Sequence, residues 1–223
     1  MNTQDIVYVN KKLYGLCQDI ITGCELSSLS EEIIAQLFSA AYKLTLPVKT
    51  EALIKKLSAD IDFFPHPIES ATALCVYIEN SKPQVYYDCT RRPSVFTILH
   101  ETREIMEMLL KEYCRYTTYA ARSNKERRCE QFAAAVLMPA NDFIYQVINT
   151  GCNVTNISKH YSVSYTAVCI RANELLGYEF RISDNKSGRL LNMSNGFAQA
   201  NKTGETKEAV AGKNRIHILI PGG

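Results

Sequence analysis

Residues 96–108 read FTILHETREIMEM, and the rest of the sequence is best understood from this stretch. It places His100, Glu101 and Glu104 in one apolar-patterned segment. An α-helix has about 3.6 residues per turn, so positions 100 and 104 share one helical face, one turn apart. The layout is that of the H-E-x-x-H zinc protease motif with glutamate at the second histidine. The stretch therefore predicts a helix with a metal site, provided that this glutamate serves as a ligand.

The chemistry of zinc explains why these residue types matter. A hydrolytic zinc site has three protein ligands and one open position for water, whose pKa zinc lowers to about 7. His100 offers an imidazole nitrogen and Glu104 a carboxylate oxygen, which zinc accepts. Glu101 stands where the general base of H-E-x-x-H enzymes stands. A solvated charged face with a hydrogen-bonded core histidine is the competing interpretation.

The third ligand has to come from another part of the chain. A second helix is predicted at 124–137, KERRCEQFAAAVLM, and it offers Glu126 and Glu130, one turn apart on the same face. Either of them can reach the motif if the two helices pack antiparallel. The rival donors are the histidines His160 and His217, with His66 as a weaker one.

Composition narrows the class of protein. The chain has 223 residues, 46% of them hydrophobic, and a net charge of +2, which suits a folded core and does not itself argue for a nucleic acid or membrane partner. We find no signal-peptide pattern at the start and no run of about 20 apolar residues that would span a membrane. The eight cysteines form no C-x-x-C pair, so we expect reduced core thiols in a cytoplasmic protein.

Periodicity predicts an α+β fold that is mostly helical, with a small antiparallel sheet. Residues 155–177 add two helical patterns around a helix-turn-helix-like step at 161–164. The segment 181–223 holds six of the ten glycines, and we interpret 183–214 as a flexible, weakly basic tail followed by a strand at 216–220. The remaining predictions are helices near 3–22, 33–42, 51–58, 95–112 and 142–148, strands at 61–64, 73–78 and 85–87, and a polar loop at 113–123.

Several sequence features between residues 47 and 177 occur in a recognisable order. They are Pro47-Val48 before a short helix and strand, the hairpin ALCVYIENSKPQVYYD, Arg92 with FTILHE, the helix ERRCEQFAAAVLMP, and NISKHYSVSYTAVCIRANELLG. Together they resemble the ImmA/IrrE family of zinc metallopeptidases. The most specific element is FAAAVLMP, because apolar periodicity does not require that order of letters.

The resemblance implies a role for each matching residue. His100 becomes the first zinc ligand and Glu101 the general base, Glu104 stands at the second histidine, Glu126 stands at the third ligand, and Glu130 replaces an asparagine. So many carboxylates favour a bound cation, since they raise one another's pKa without one, and they admit manganese as well as zinc.

The resemblance over 47–177, together with the change of composition after residue 180, predicts a division of the chain into four segments. These are N-terminal helices at 1–46, a zincin-like metallopeptidase core at 47–150, a helix-turn-helix-like segment at 151–180, and a glycine-rich, weakly basic tail at 181–223.

Family members are associated with cleaving helix-turn-helix repressors in mobile elements and stress responses. The resemblance thus implies a metal-dependent endopeptidase whose protein substrate, a repressor, binds as an added strand along the 84–88 edge. Two other functions stay open: a member without hydrolysis that binds a regulator or DNA, and a metal-stabilised structural or toxin–antitoxin accessory module. Direct DNA binding is the less favoured, because 164–176 offers only Arg171 and Asn173 for base contacts.

Overall fold

A computed structural model of the chain describes residues 12–13, 15–17, 30–68, 71–76, 81–90, 93–109, 119–177, 180–182 and 190–192. The chain divides into two compact units, Met1–Leu137 and Met138–Gly223. The mostly helical α+β class predicted from the sequence is confirmed. The segment boundaries predicted at 46, 150 and 180 stay predictions.

The first unit combines helices with one small sheet. Residues 12–13 and 15–17 are helical as well. Its elements are, in chain order, α1 (Glu31–Ala41), α2 (Thr50–Leu57), β1 (Asp62–His66), β2 (Ala73–Val76), β3 (Gln84–Asp88), α3 (Val95–Leu109) and α4 (Tyr119–Leu137). Helix α3, which carries the FTILHETREIMEM motif, packs against both α4 and β2, and α1 packs against α4.

The sheet has the strand order β1-β3-β2. Strands β2 and β3 pair antiparallel, as the hairpin pattern predicts, with Cys75 opposite Val85. Strand β1 runs parallel to β3, with Phe63 opposite Val85, so the sheet is mixed and the prediction of an antiparallel sheet is wrong for β1. Alternation of apolar and polar residues predicts that a segment is a strand, but it does not predict which strand it pairs with. That pairing depends on packing against other elements.

The same strand order corrects the predicted docking edge. Residues 84–88 form the central strand, hydrogen-bonded on both sides, so they cannot accept an added strand. The two edges of the described sheet are β1 and β2.

Apolar side chains at helical spacing hold the first unit together. Phe38 on α1 meets Phe132 on α4 with ring centroids 5.3 Å apart, and both side chains are fully buried. Helix α3 buries Ile98, Leu99 and Ile105 completely. Each such side chain contributes about 1.5–3 kcal/mol relative to exposure, so these contacts fix the helices that carry the motif.

The buried carboxylate of Asp60 ties earlier residues to this core. It accepts a hydrogen bond from the Tyr42 hydroxyl at 2.7 Å and longer ones from the backbone N–H groups of Lys12 and Leu13, at 3.3 and 3.4 Å. A buried carboxylate needs such donors, because an unpaired one is costly to desolvate.

The second unit contains α5 (Ala140–Asn149), α6 (Val154–Tyr161), α7 (Tyr165–Leu176) and the strand pair β4 (Phe180–Ile182) and β5 (Leu190–Asn192). Ser162 has left-handed φ of 56°, and the Ser164 hydroxyl caps α7 by accepting from the Ala167 N–H at 3.1 Å. The helix-turn-helix-like segment is thus confirmed as two helices joined by a short turn.

Two local predictions differ from the structure. Residues 119–123, predicted as loop, belong to α4, which agrees with the high helix propensity of alanine and arginine in YAARS. Residues 190–192, predicted as flexible tail, pair antiparallel with β4, and two of the three are the apolar Leu190 and Leu191, which a flexible polar linker would lack. The rest of the tail, including the strand predicted at 216–220, lies outside the described residues.

No helix within the described part of the chain combines the length and apolar content needed to cross a bilayer.

Candidate metal centre

Helix α3 leaves His100 and Glu104 partly exposed. The Ser94 hydroxyl caps the helix by accepting from the Thr97 N–H at 3.0 Å. The apolar positions of the helix face the core, and the spacing between them leaves His100 and Glu104 only 17% and 16% exposed. Both side chains therefore lie in a partly dry environment that strengthens their electrostatic contacts.

His100 has a carboxylate next to each ring nitrogen. Its Nε2 lies 3.2 Å from Oε2 of Glu126 on α4, and its Nδ1 lies 3.4 Å from Oε1 of Glu101. Burial alone would lower the pKa of His100, but the hydrogen bond to Glu101 and the charges of Glu101, Glu126 and Glu104 outweigh it and raise the pKa. The two helices thus bring one histidine and two of the predicted glutamates together.

Glu104 is engaged by two groups that the sequence analysis did not single out. Its Oε1 lies 2.7 Å from the ammonium nitrogen of Lys125, and its Oε2 accepts a hydrogen bond from the Cys75 thiol at 2.9 Å. Burial would raise the pKa of Glu104, but these hydrogen bonds and the positive charge of Lys125 outweigh it and lower the pKa. Glu104 is therefore an ionised carboxylate with a donor on each oxygen.

Cys75 reaches the centre from strand β2. Cys75, Glu101 and Glu104 each place one possible ligand atom within 4.8 Å of the others. Burial, and then the charge of Glu104, raise the pKa of the Cys75 thiol, which suits its role as a hydrogen-bond donor. Cys75 is an isolated cysteine without C-x-x-C spacing, so the sequence did not mark it as a ligand. In the structure, its neighbour Leu74 is exposed, and Cys75 lies on the other face of the strand.

Lys125 had a weak signal in the helical periodicity. It lies one turn before Cys129, which is fully buried on the inner face of α4. A lysine at that position is directed toward α3, where Glu104 meets it. The pKa of Lys125 would be lowered by burial, but the hydrogen bond and charge of Glu104 outweigh this and raise it.

The other donors considered from the sequence lie elsewhere. Glu130 is exposed on α4. His160 belongs to the second unit, where its Nε2 lies 3.4 Å from Oδ2 of Asp142. His66 on β1 lies edge-on to Tyr86, with ring centroids 6.1 Å apart. His217 is outside the described residues.

The donor atoms at the centre fit a divalent cation. Imidazole nitrogen and carboxylate oxygen are both ligands of zinc, and carboxylates also suit manganese. The 3.2 Å between His100 Nε2 and Glu126 Oε2 is close to the separation of about 3.3 Å expected for two ligands of tetrahedral zinc. Among the described residues, the three possible ligand atoms that lie within 4.8 Å of one another belong to Cys75, Glu101 and Glu104, and His100, Glu104 and Glu126 do not form such a group. Glu104 would join His100 and Glu126 only if its side chain moved away from Lys125 and Cys75.

Behind the centre lies a second group of charges, the buried ionic cluster, formed by Glu31, Arg103, Glu107 and Arg128. Arg103 donates to Glu31 through Nε at 2.8 Å and Nη2 at 3.0 Å, and Arg128 Nε donates to the same carboxylate at 2.8 Å. Arg103 Nη1 lies 3.4 Å from Oε1 of Glu107. The cluster joins α1, α3 and α4, and so fixes the two helices that carry His100 and Glu126.

Comparisons with known proteins give matches to solved structures and to one family model. Comparison with curated proteins gives no match. A solved structure described as a Mycobacterium tuberculosis transcriptional regulator matches with 11% sequence identity and a TM-score of 0.47. The match covers 79% of this chain and 54% of that one, so this chain spans about half of the other's length.

The family model of the IrrE N-terminal-like domain, Peptidase_M78, matches residues 59–173, which is just over half of the chain. The matched region includes the motif helix α3, the helix α4 and the strand that carries Cys75. With the predicted resemblance confirmed, the chain belongs to the ImmA/IrrE family, with the metallopeptidase-like domain that defines it.

Proposed function

We propose that the protein is a metal-dependent endopeptidase that cleaves a regulatory, repressor-like protein. The observation that carries this proposal is the meeting of His100 and Glu126, from two helices, at 3.2 Å, with the Glu101 carboxylate 3.4 Å from the same imidazole. Membership of a family with a metallopeptidase-like domain supports it, because His100 and Glu101 match the first two positions of the H-E-x-x-H motif, while Glu104 replaces its second histidine.

The residues divide into two roles. His100, Glu126 and Glu104 would hold the cation, zinc or manganese, which when bound acts as a Lewis acid that makes water a nucleophile. Glu101 would accept the proton that the water loses and pass it to the leaving amine. Its place next to the imidazole, largely shielded from solvent, supports this role.

The substrate would approach along β2. An extended peptide can add to an exposed sheet edge through backbone hydrogen bonds. Strand β2 is an edge of the described sheet, and its Cys75 side chain touches Glu104, so a peptide on that edge would pass near the centre. This replaces the 84–88 strand as the proposed docking edge.

Glu101→Gln tests the peptidase proposal. The variant should bind zinc or manganese like the unaltered chain and lose cleavage of a co-expressed helix-turn-helix repressor by at least about a hundredfold, since general-base catalysis contributes about 10²–10⁴-fold. Glu130→Gln, at the exposed glutamate on α4, is the matched control and should cleave normally. Cleavage that survives Glu101→Gln would reject Glu101 as the base.

A second function is favoured by one observation, the Lys125 ammonium at 2.7 Å from Glu104. A cation supplied by the protein itself suits a family member that has lost hydrolysis and acts by binding a regulator. Binding to a protein is favoured over DNA, because Arg171 is only 4% exposed and donates to the Met138 carbonyl at 3.0 Å. Failure of the chain to bind zinc or manganese, even after addition of the metal, would support this second function over the first.

A further inference from the structure

The contacts of Glu104 differ from those expected of an available metal ligand. Lys125 places a positive charge on one oxygen at 2.7 Å, and Lys125 is also the residue directly before Glu126. The same short segment of α4 thus presents a proposed ligand at position 126 and a cation bound to another proposed ligand. A divalent ion at the centre would therefore lie near both the Glu126 carboxylate and the Lys125 ammonium.

We propose that Lys125 is an internal cation that competes with the metal for Glu104 and thereby sets the metal affinity of the centre. The inference rests on the proposed metal centre and specifies how that centre is controlled.

The strength of the contact makes the competition substantial. The Lys125 and Glu104 side chains are only 12% and 16% exposed, so solvent screens them less than it screens a surface pair. A charge-assisted hydrogen bond of 2.7 Å is a strong one. Binding of a divalent cation to Glu104 therefore requires Lys125 to give up this contact or to remain close to a second positive charge.

The chemistry of lysine makes the competition reversible. Its ammonium is a point charge on a flexible four-carbon stem, which can turn toward solvent without disturbing the helix. An arginine would form a planar, two-pronged contact that is harder to displace. The pairing also accounts for glutamate at position 104, since a histidine there would offer Lys125 no negative charge.

The test is a calorimetric titration of the full chain with Zn²⁺ alone. Lys125→Met removes the charge and keeps much of the side-chain length, and it should tighten Zn²⁺ binding by at least about tenfold, as expected when a nearby like charge is removed. Arg127→Met is the matched control: it removes one positive charge from the exposed side of the same turn and should bind Zn²⁺ like the unaltered chain.

Lys125→Arg separates competition from a structural role. A structural role would be preserved by arginine, whereas competition should be strengthened, so Zn²⁺ binding should weaken by about tenfold. If Lys125→Met does not fold, the test depends on Lys125→Arg alone. Zn²⁺ binding by Lys125→Arg that is equal to or tighter than that of the unaltered chain would overturn the inference.

The outcomes also separate this inference from the proposed function. Equal Zn²⁺ affinity in the unaltered chain and in Lys125→Met overturns the inference and leaves the metal centre standing. Binding by Lys125→Met alone supports the inference and rejects the unaltered chain as a zinc peptidase. Binding by neither variant nor the unaltered chain overturns both.

Discussion

Helix α3 contributes to two sets of charged side chains that differ in their exposure to solvent. In the buried ionic cluster, the Arg103 and Glu107 side chains are fully buried, and Glu31 is nearly so. At the candidate metal centre, where α3 supplies His100 and Glu104, Glu126 of α4 leaves more than half of its side chain in contact with solvent. The first set reaches solvent mainly through Arg128, which is 27% exposed, whereas the second reaches it through the more exposed Glu126.

The difference between the two sets lies in the cation that each employs. Arg103 contacts the Glu31 carboxylate through two nitrogens, a planar geometry that fixes both partners. Lys125 contacts Glu104 through a single nitrogen. The comparison teaches that carboxylates on one helix can be paired with arginine or with lysine, and under the inference above the arginine pairing is permanent and the lysine pairing exchangeable.

Removal of the Arg103 guanidinium should have the largest effect on the stability of the fold. Arg103→Met removes the fully buried cation of the cluster and leaves Glu31 and Glu107 with the partly exposed Arg128, and loss of one member of a buried ion pair costs about 3–5 kcal/mol. We expect the free energy of unfolding, measured by urea titration, to fall by about this amount. Arg127→Met, at an exposed position on α4, is the control. Equal, small losses in both variants would show that the buried ionic cluster contributes no more to the free energy of unfolding than an exposed residue does.

Zinc should stabilise the protein through the open set alone. At a free Zn²⁺ concentration about 100 times the dissociation constant, linkage predicts a gain of about 2.7 kcal/mol in the free energy of unfolding. His100→Ala should abolish the gain, because it removes the nitrogen that faces Glu126. Lys55→Ala, on α2, should retain it. The same gain in His100→Ala would place the zinc elsewhere on the protein.

Without metal, removal of the exchangeable cation should have the smallest effect. Lys125→Met leaves Glu104 with the Cys75 thiol as a donor and with partial access to water, so we expect a loss of about 1–2 kcal/mol in the free energy of unfolding. Urea titration in the presence of a chelator measures it. A loss as large as that of Arg103→Met would mean that the Lys125 pairing contributes as much to stability as the Arg103 pairing.

The helices were the most predictable part of the fold. Helix α3 was expected from residue 95, because the Ser94 cap and the apolar spacing are local signals. The partner of β1 was not predictable, since strand alternation does not say which side of β3 it will take. Tertiary packing decided that point.

The candidate site was predictable only along the helices. Sequence spacing left Glu126 and Glu130 as equals, because both lie on one face of α4. The packing of α4 against α3 decides between them and brings Glu126 to His100. Cys75 and Lys125 were missed, because the fold brings a thiol from the sheet and a lysine from a charged run to the same carboxylate.

The carboxylate of Asp60 has a practical consequence for the choice of protein fragments. The family match begins at residue 59, whereas Lys12, Leu13 and Tyr42, which all donate to Asp60, precede it. A fragment cut to the matched region would keep the acid and discard these donors, which exposes a core carboxylate to a desolvation penalty. Expression of the motif-bearing half as a folded piece therefore calls for a start upstream of residue 12.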